Sequence, residues 1–350
     1  MKSNYKAIGE LVERIDERNR DGSITTLIGV SIDKKFIPSV ANVVGTDLTN
    51  YKVIRKYDFA VSLMQVSRDE KIPVACQKEY DAAIMSPAYP IFRVKDTNII
   101  MPEYLEMWFM RSEFDREASF VAVGGVRGSM PWEEFAKLKL PVPNIEIQKE
   151  IVSSYRAIID RITLKKRIND NLEATLTAVF TEIFSAAEAT EQTKLSELMT
   201  FGNGKSRPKT DGTIPVYGGN GVLSYTDQYN IENAILIGRV GAYCGSVYLE
   251  QGICWVSDNA IFAKSKVSID EFFDYFLLKR LNLFNRHVGT GQQLLTQEIL
   301  NNIEVAKPNI EQIEIFNTKA KAVFQSISAN RDEIIRLQEL SDLLLSRLAG

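Results

Sequence analysis

Pro143-Asn144-Ile145-Glu146 recurs as Pro308-Asn309-Ile310-Glu311, an offset of 165 residues, and these two stretches decide how the chain is built. Carried towards the N-terminus without a gap, the same offset aligns Leu140 with Val305, Glu133 with Glu298 and Gly124 with Gly289. Beyond each stretch comes a glutamine, Gln148 or Gln312, and then a long run free of proline and glycine. A weaker echo opens each half, Ile8-Gly9-Glu10-Leu11 against Leu195-Ser196-Glu197-Leu198. Self-similarity at a fixed offset marks a chain assembled from repeated structural units. The order is globular region, long helix, globular region, long helix.

Counting tests the helices. From Ile151, steps of four and three reach Tyr155, Ile158, Ile162, Lys165, Asn169, Leu172, Leu176, Val179 and Ile183, so eight of ten positions are apolar. The positions 165 further on are Phe316, Ala320, Val323, Ile327, Asn330, Ile334, Leu337, Ser341, Leu344 and Leu348, again eight of ten. A 3.5-residue repeat keeps one seam facing a partner, which is the coiled-coil signature. Each entry suits a helix start, with proline just outside and glutamate in the first turn. One such seam packs on its own globular domain as readily as on a partner; two of equal length and matched register favour packing on each other. In an antiparallel pair centred on itself, paired positions sum to 499, so Asn169 faces Asn330 and Lys165 falls opposite Ile334 with its ammonium reaching solvent. A buried asparagine pair disfavours shifted registers, in which each amide meets hydrocarbon.

The globular regions carry short β-branched and aromatic runs between turns, over residues 32–66, 82–94 and 213–263. Ile214-Pro215-Val216-Tyr217, Ala234-Ile235-Leu236-Ile237, Ser246-Val247-Tyr248-Leu249 and Ala260-Ile261-Phe262-Ala263 read as strands, with short helices at 103–111 and 271–281. The fold class is α+β: a first globular domain at 1–143, a long helix at 144–186, a second globular domain at 187–307 and a second long helix at 308–350.

Composition narrows the chemistry. The chain has 350 residues, 45% hydrophobic and 25% charged, enough apolar content for proper cores. It has no apolar run long enough for a membrane span and no signal-peptide core, and three cysteines without a CxxC fit a reducing cytoplasm. The single histidine, His287, lacks a metal-like partner and reads as a surface residue, and no GxSxG surrounds any serine. Net charge is −3 and no segment is basic: residues 1–143 balance 20 cations against 20 anions. Local clusters exist, and Lys205, Arg207 and Lys209, interleaved with Ser206 and Pro208 after Phe201-Gly202-Asn203-Gly204, read as an exposed cationic loop.

Three motifs fail. Gly204-Lys205-Ser206 lacks the glycine a phosphate loop needs, since position 199 is Met199. Gly238-Arg239-Val240-Gly241 precedes further strand rather than a helix, against a nucleotide fingerprint. Ser86-Pro87-Ala88-Tyr89 resembles the tetrad of adenine amino-methyltransferases, but its second proline is alanine, and a turn followed by a strand is the better reading. What remains is a surface for DNA. Tyr217 and Asn220 lie in a glycine-rich turn; Arg127, Arg239, Gln292 and Gln293 have the chemistry for base edges; Lys34, Lys35, Lys205, Arg207 and Lys209 have the charge for phosphates.

As an ordered set, these features resemble the specificity subunit of type I restriction-modification enzymes. The carriers are the duplicated Leu140-Pro141-Val142-Pro143-Asn144-Ile145-Glu146-Ile147-Gln148 and Val305-Ala306-Lys307-Pro308-Asn309-Ile310-Glu311-Gln312, together with Val216-Tyr217-Gly218-Gly219-Asn220-Gly221, Ile237-Gly238-Arg239-Val240-Gly241, Ser257-Asp258-Asn259-Ala260 and Ser86-Pro87-Ala88-Tyr89. The first copy departs by one extra residue, Ile147, before its glutamine. The resemblance implies two target-recognition domains, each reading half of a split site in double-stranded DNA, and an antiparallel coiled coil that docks two modification subunits. It implies no cofactor and no catalysis in this chain: S-adenosylmethionine would serve the modification subunits and ATP the restriction subunits. The seam, about 50 Å long at ~1.5 Å per residue, would act as a ruler against the ~34–36 Å of one DNA turn. A stand-alone adenine methyltransferase or a coiled-coil adaptor without DNA binding are the rival readings.

Overall fold

The structure is a computed structural model, and it describes residues 4–39, 45–64, 66–122, 128–184, 191–289 and 293–349. Its contacts divide the chain into two units, Met1–Leu164 with Glu333–Gly350, and Lys165–Asp332. The division cuts through both long helices, unlike the expected four segments: each unit holds one globular region and part of each helix.

The helices are Ile145–Ile183 and Ile310–Ser346. Both start at the same point of the repeat. Asn144 Oδ1 accepts from the Ile147 N–H at 3.0 Å, and Asn309 Oδ1 accepts from the Glu311 N–H at 2.8 Å, so each asparagine satisfies a first-turn donor that lacks an intrahelical partner. Every one of the twenty seam positions is buried or half-buried. Within the first unit the start of one helix and the end of the other enter one core, through Val152 and Leu345, with Leu348 just beyond. Within the second, Phe180 and Phe316 meet edge to face at 5.3 Å. The pair is therefore antiparallel in both. Asn330 Nδ2 donates to Asn169 Oδ1 at 2.8 Å, and Lys165 Nζ donates to Asn330 Oδ1 at 2.8 Å. Lys165 thus departs from the expected path to solvent: a half-buried amide oxygen one turn away offers its ammonium a partner inside the seam.

A shared frame opens both globular regions. A three-residue strand pairs antiparallel with the strand before the long helix, Tyr5–Ala7 with Lys139–Pro141 and Gln192–Lys194 with Glu304–Ala306. One helical turn follows, Ile8–Leu11 or Leu195–Leu198, and then a strand, Val12–Ile15 or Met199–Asn203. The echo of Ile8-Gly9-Glu10-Leu11 in Leu195-Ser196-Glu197-Leu198 marks these turns, whose isoleucine and leucines are buried.

The interiors differ. The first unit has a four-stranded antiparallel sheet ordered Val12–Ile15, Ile91–Val94, Phe59–Val61, Val74–Cys76, beside two-stranded pairs. Phe109, Phe114 and Phe135 pack over it, against Phe59 and Phe92 of its strands. The second has one six-stranded sheet, ordered Met199–Asn203, Ala260–Ser265, Ile231–Gly238, Val247–Val256, Ile214–Gly218, Gly221–Thr226. The expected short helices are Pro102–Met110 and Phe272–Arg280. Each is tied to its long helix by a buried amide. Gln148 accepts from the Met101 N–H at 2.9 Å and donates to the Ile99 and Pro143 carbonyls; Asn317 accepts from the Phe273 N–H at 2.8 Å and donates to Ser268 and the Asp270 carbonyl. The glutamine recurring as Gln312 is not the counterpart. The extra Ile147 moves Gln148 to the inward face, and Asn317, one turn further along, takes that role in the second copy.

Candidate nucleic-acid interface

In the second unit the segments that stand out in the sequence are stitched together by their own backbones. The Ser257 N–H donates to the Tyr217 carbonyl at 2.9 Å, joining the turn 257–259 to the glycine-rich turn 217–221. The Arg239 N–H donates to the Asn259 carbonyl at 3.0 Å and the Gly241 N–H to the Gln293 carbonyl at 3.1 Å. The Lys205 N–H donates to the Val256 carbonyl at 3.0 Å, so the cationic loop starts from the same cluster. Two glycines are required there. A Cβ on Gly238 would lie 2.2 Å from the Tyr243 carbonyl oxygen and 2.8 Å from that of Gly219, and Gly221 has φ +76°, where a side chain is strained.

The expected contact residues fall into three groups. Lys205, Arg207, Lys209 and Asn220 are exposed, and their side chains make no ion pair or hydrogen bond among the described residues. Lys35 is exposed too, on the hairpin turn between Ile28–Val30 and Phe36–Pro38 in the first unit. A second group is committed inside the fold. Lys34, at φ +58°, pairs with Asp115 at 2.7 Å and donates to the Phe109 carbonyl, and burial pulls its ammonium below the usual lysine range. It is not free to hold a phosphate. Tyr217 donates its hydroxyl to Glu250 at 2.9 Å, and burial beside that carboxylate pushes the phenol upward. Arg239 holds the cluster: its backbone fixes Asn259 and Leu295, its Nη1 lies 3.4 Å from the Asp258 carbonyl, and its Nε is buried. Gln293 is half-buried and contributes its carbonyl. The third group, Arg127 and Gln292, lies outside the described residues.

Sequence reading misses three exposed side chains on these turns, Tyr243, Asp258 and Asn259. Tyr243 stands between Gly241 and Gly245, both at positive φ, and Asp258 and Asn259 form the turn between two strands. Asp258 and Asn259 belong to the quoted Ser257-Asp258-Asn259-Ala260, and a Ser-Asp-Asn between two apolar runs is a turn signal that could have added them to the contact residues. The arrangement offers exposed cations beside a fixed set of amide, carboxylate and aromatic groups. Cations hold a phosphate backbone, and fixed polar groups read edges. Ser86-Pro87-Ala88-Tyr89 is the turn expected of it: the Tyr89 N–H donates to the Ser86 carbonyl at 3.2 Å, and the strand Ile91–Val94 follows. Among the described residues no group of three or more His, Cys, Asp or Glu side chains is placed to hold a metal ion, and no helix is long and apolar enough to cross a membrane.

Comparison with known proteins agrees with this architecture. A relative described as the type I restriction enzyme EcoprrI specificity subunit of Escherichia coli is 25% identical over 125 residues, 35% of this chain and 31% of that protein. The matched stretch thus spans about a third of that relative's length. A crystal structure of the type I restriction-modification S subunit from M. genitalium is similar in fold, with a TM-score of 0.58 at 15% identity, covering 99% of this chain and 96% of the other. The family described as type I restriction modification DNA specificity domain matches twice, at residues 68–174 and 188–335. Those two matches take in the latter part of the first globular region, the second globular region and much of both long helices, and the chain belongs to that family.

Proposed function

We propose that this chain is the specificity subunit of a type I restriction-modification complex, reading a bipartite site in double-stranded DNA with one globular region per half-site. The observation that carries the reading is the stitched cluster of the second unit, which presents the exposed Asn220, Asp258 and Asn259 and from which the loop of Lys205, Arg207 and Lys209 departs, its side chains making no ion pair or hydrogen bond among the described residues. The cations supply affinity without sequence information; the fixed polar groups supply the readout. In this reading the chain has no catalysis of its own and works in the cytoplasm. Methyl transfer from S-adenosylmethionine belongs to two modification subunits docked on the long helices, ATP-driven cleavage to restriction subunits, and the register of the helix pair sets the half-site spacing.

Domain exchange tests it. Replacing residues 1–143 by the corresponding region of another such protein, with the modification subunits present, should rewrite one half of the methylated site and leave the other half and the spacer intact. A swap that alters both halves, or methyl transfer by the pure chain, overturns the reading; the second result favours a stand-alone methyltransferase.

A further inference from the structure

Asp258 is out of place for a phosphate-binding surface. It is exposed, its carboxylate makes no ion pair or hydrogen bond among the described residues, and the cationic loop leaves from the same turn through the Lys205 N–H to Val256 carbonyl bond of 3.0 Å. Its backbone is held on both sides. The Ser257 N–H donates to the Tyr217 carbonyl at 2.9 Å, the Ala260 N–H to the Ser257 carbonyl at 3.0 Å, and the Arg239 N–H to the Asn259 carbonyl at 3.0 Å. A carboxylate aimed at DNA is repelled by phosphates and by every acceptor in the grooves. In the major groove guanine offers N7 and O6, thymine offers O4, and only the cytosine N4 and adenine N6 amines donate. Beside the adenine amine lies the N7 acceptor, which an acceptor-only carboxylate cannot satisfy.

We infer that Asp258 is a specificity-determining residue, whose carboxylate accepts a hydrogen bond from the N4 amine of one cytosine in the half-site read by the second globular region. This rests on the proposed function. The loop cations then have a complementary role: Lys205, Arg207 and Lys209, on the loop that leaves from the same turn, hold phosphates and so offset the repulsion that a lone carboxylate meets.

The test uses the full chain assembled with its modification subunits and a DNA library randomised across that half-site, with methylated sequences read out. The wild type should require cytosine at one position. Asp258→Ala should relax that position alone, with discrimination falling roughly ten- to a hundred-fold. Asp258→Asn should move the preference to adenine, because an amide both gives to N7 and takes from N6. A purely structural role does not produce that change of base. Unchanged preference in both variants overturns the inference, as does a uniform gain for all sequences in Asp258→Ala, which would mean simple repulsion. Lys205→Ala/Arg207→Ala/Lys209→Ala separates the two levels. Loss of DNA binding there with no effect at Asp258 leaves the face as the DNA interface and removes Asp258 as a reader. Retained binding in the triple variant overturns the assignment of the face itself.

Discussion

In the unit containing the first globular region, several cations of the β structure are spent inside the fold, although Lys35 on a hairpin turn is exposed. Lys34 pairs with Asp115, Lys52 with Asp16 and the Tyr89 carbonyl, and Arg93 with the buried Asp58. In the Lys165–Asp332 unit, Lys205, Arg207 and Lys209 have no such partners among the described residues. The two regions nevertheless share a frame: a short strand pair, one helical turn, a strand, and a buried amide tying a short helix to a long one. The difference teaches that the repeat constrains the frame and leaves the inserted β structure to diverge. A lysine quoted from the sequence belongs to frame or surface according to whether a carboxylate waits for it.

The largest expected effect breaks that comparison if it fails. Lys205→Ala/Arg207→Ala/Lys209→Ala should cut DNA affinity by about a hundred-fold or more near physiological salt and lower the slope of log affinity against log salt by roughly 2–3. Lys34→Met should leave the slope unchanged and lower stability instead, because Asp115 then stays half-buried without its ion-pair partner. Equal salt slopes in the two variants would show that burial does not sort these lysines.

The next effect sharpens the shared frame. Gln148→Ala and Asn317→Ala each strand a backbone N–H in the interior, at Met101 and Phe273, and each should cost about 2–3 kcal/mol in denaturant unfolding. Hydrogen exchange should rise first at Pro102–Met110 in one variant and at Phe272–Arg280 in the other. A loss confined to one variant would mean that the two ties are not equivalent.

The smallest effect marks a feature of the second region alone. Asp274 has no exposed surface, and burial, helped by Glu271, pushes its carboxyl up to about 7 against the pull of the Ser265 hydroxyl. The native state then keeps a proton that the unfolded chain, at the ordinary aspartate value of 3.8, has already released. That contribution is complete below the unfolded value and fades as pH rises through the folded one. Stability should fall by about 1 kcal/mol between pH 6 and pH 8. Asp274→Asn should flatten the profile; an unchanged profile would place the titration elsewhere.

The helix pair is legible in the sequence because it rests on periodicity and on residues with one structural use: the seam from Ile151 to Ile183 and the Pro-Asn helix entries. The interface is legible only in part. Tyr217 and Arg239 sit in the right segments, yet the Tyr217 hydroxyl goes to Glu250 and one Arg239 amine turns to the Asp258 carbonyl. No local pattern announces partners 33 and 19 residues away. Lys34 misleads for the same reason, since Asp115 lies far along the chain. Asp258 stands in a segment that the sequence singles out, Ser257-Asp258-Asn259-Ala260, yet is passed over as a contact residue because a carboxylate looks wrong on a DNA surface when charge alone is considered.

The amide layer at the seam governs how the helix pair can change length. Seven residues added to one helix alone would leave Asn169 opposite hydrocarbon and Lys165 without the Asn330 oxygen, so the alteration is penalised at three groups together. Equal additions of whole heptads to both helices on the same side of the layer keep every partner. Each such addition lengthens the pair by about 10 Å. Length in this molecule is therefore stepped rather than continuous, and any heritable change in it has to be written twice, once in each copy of the repeat.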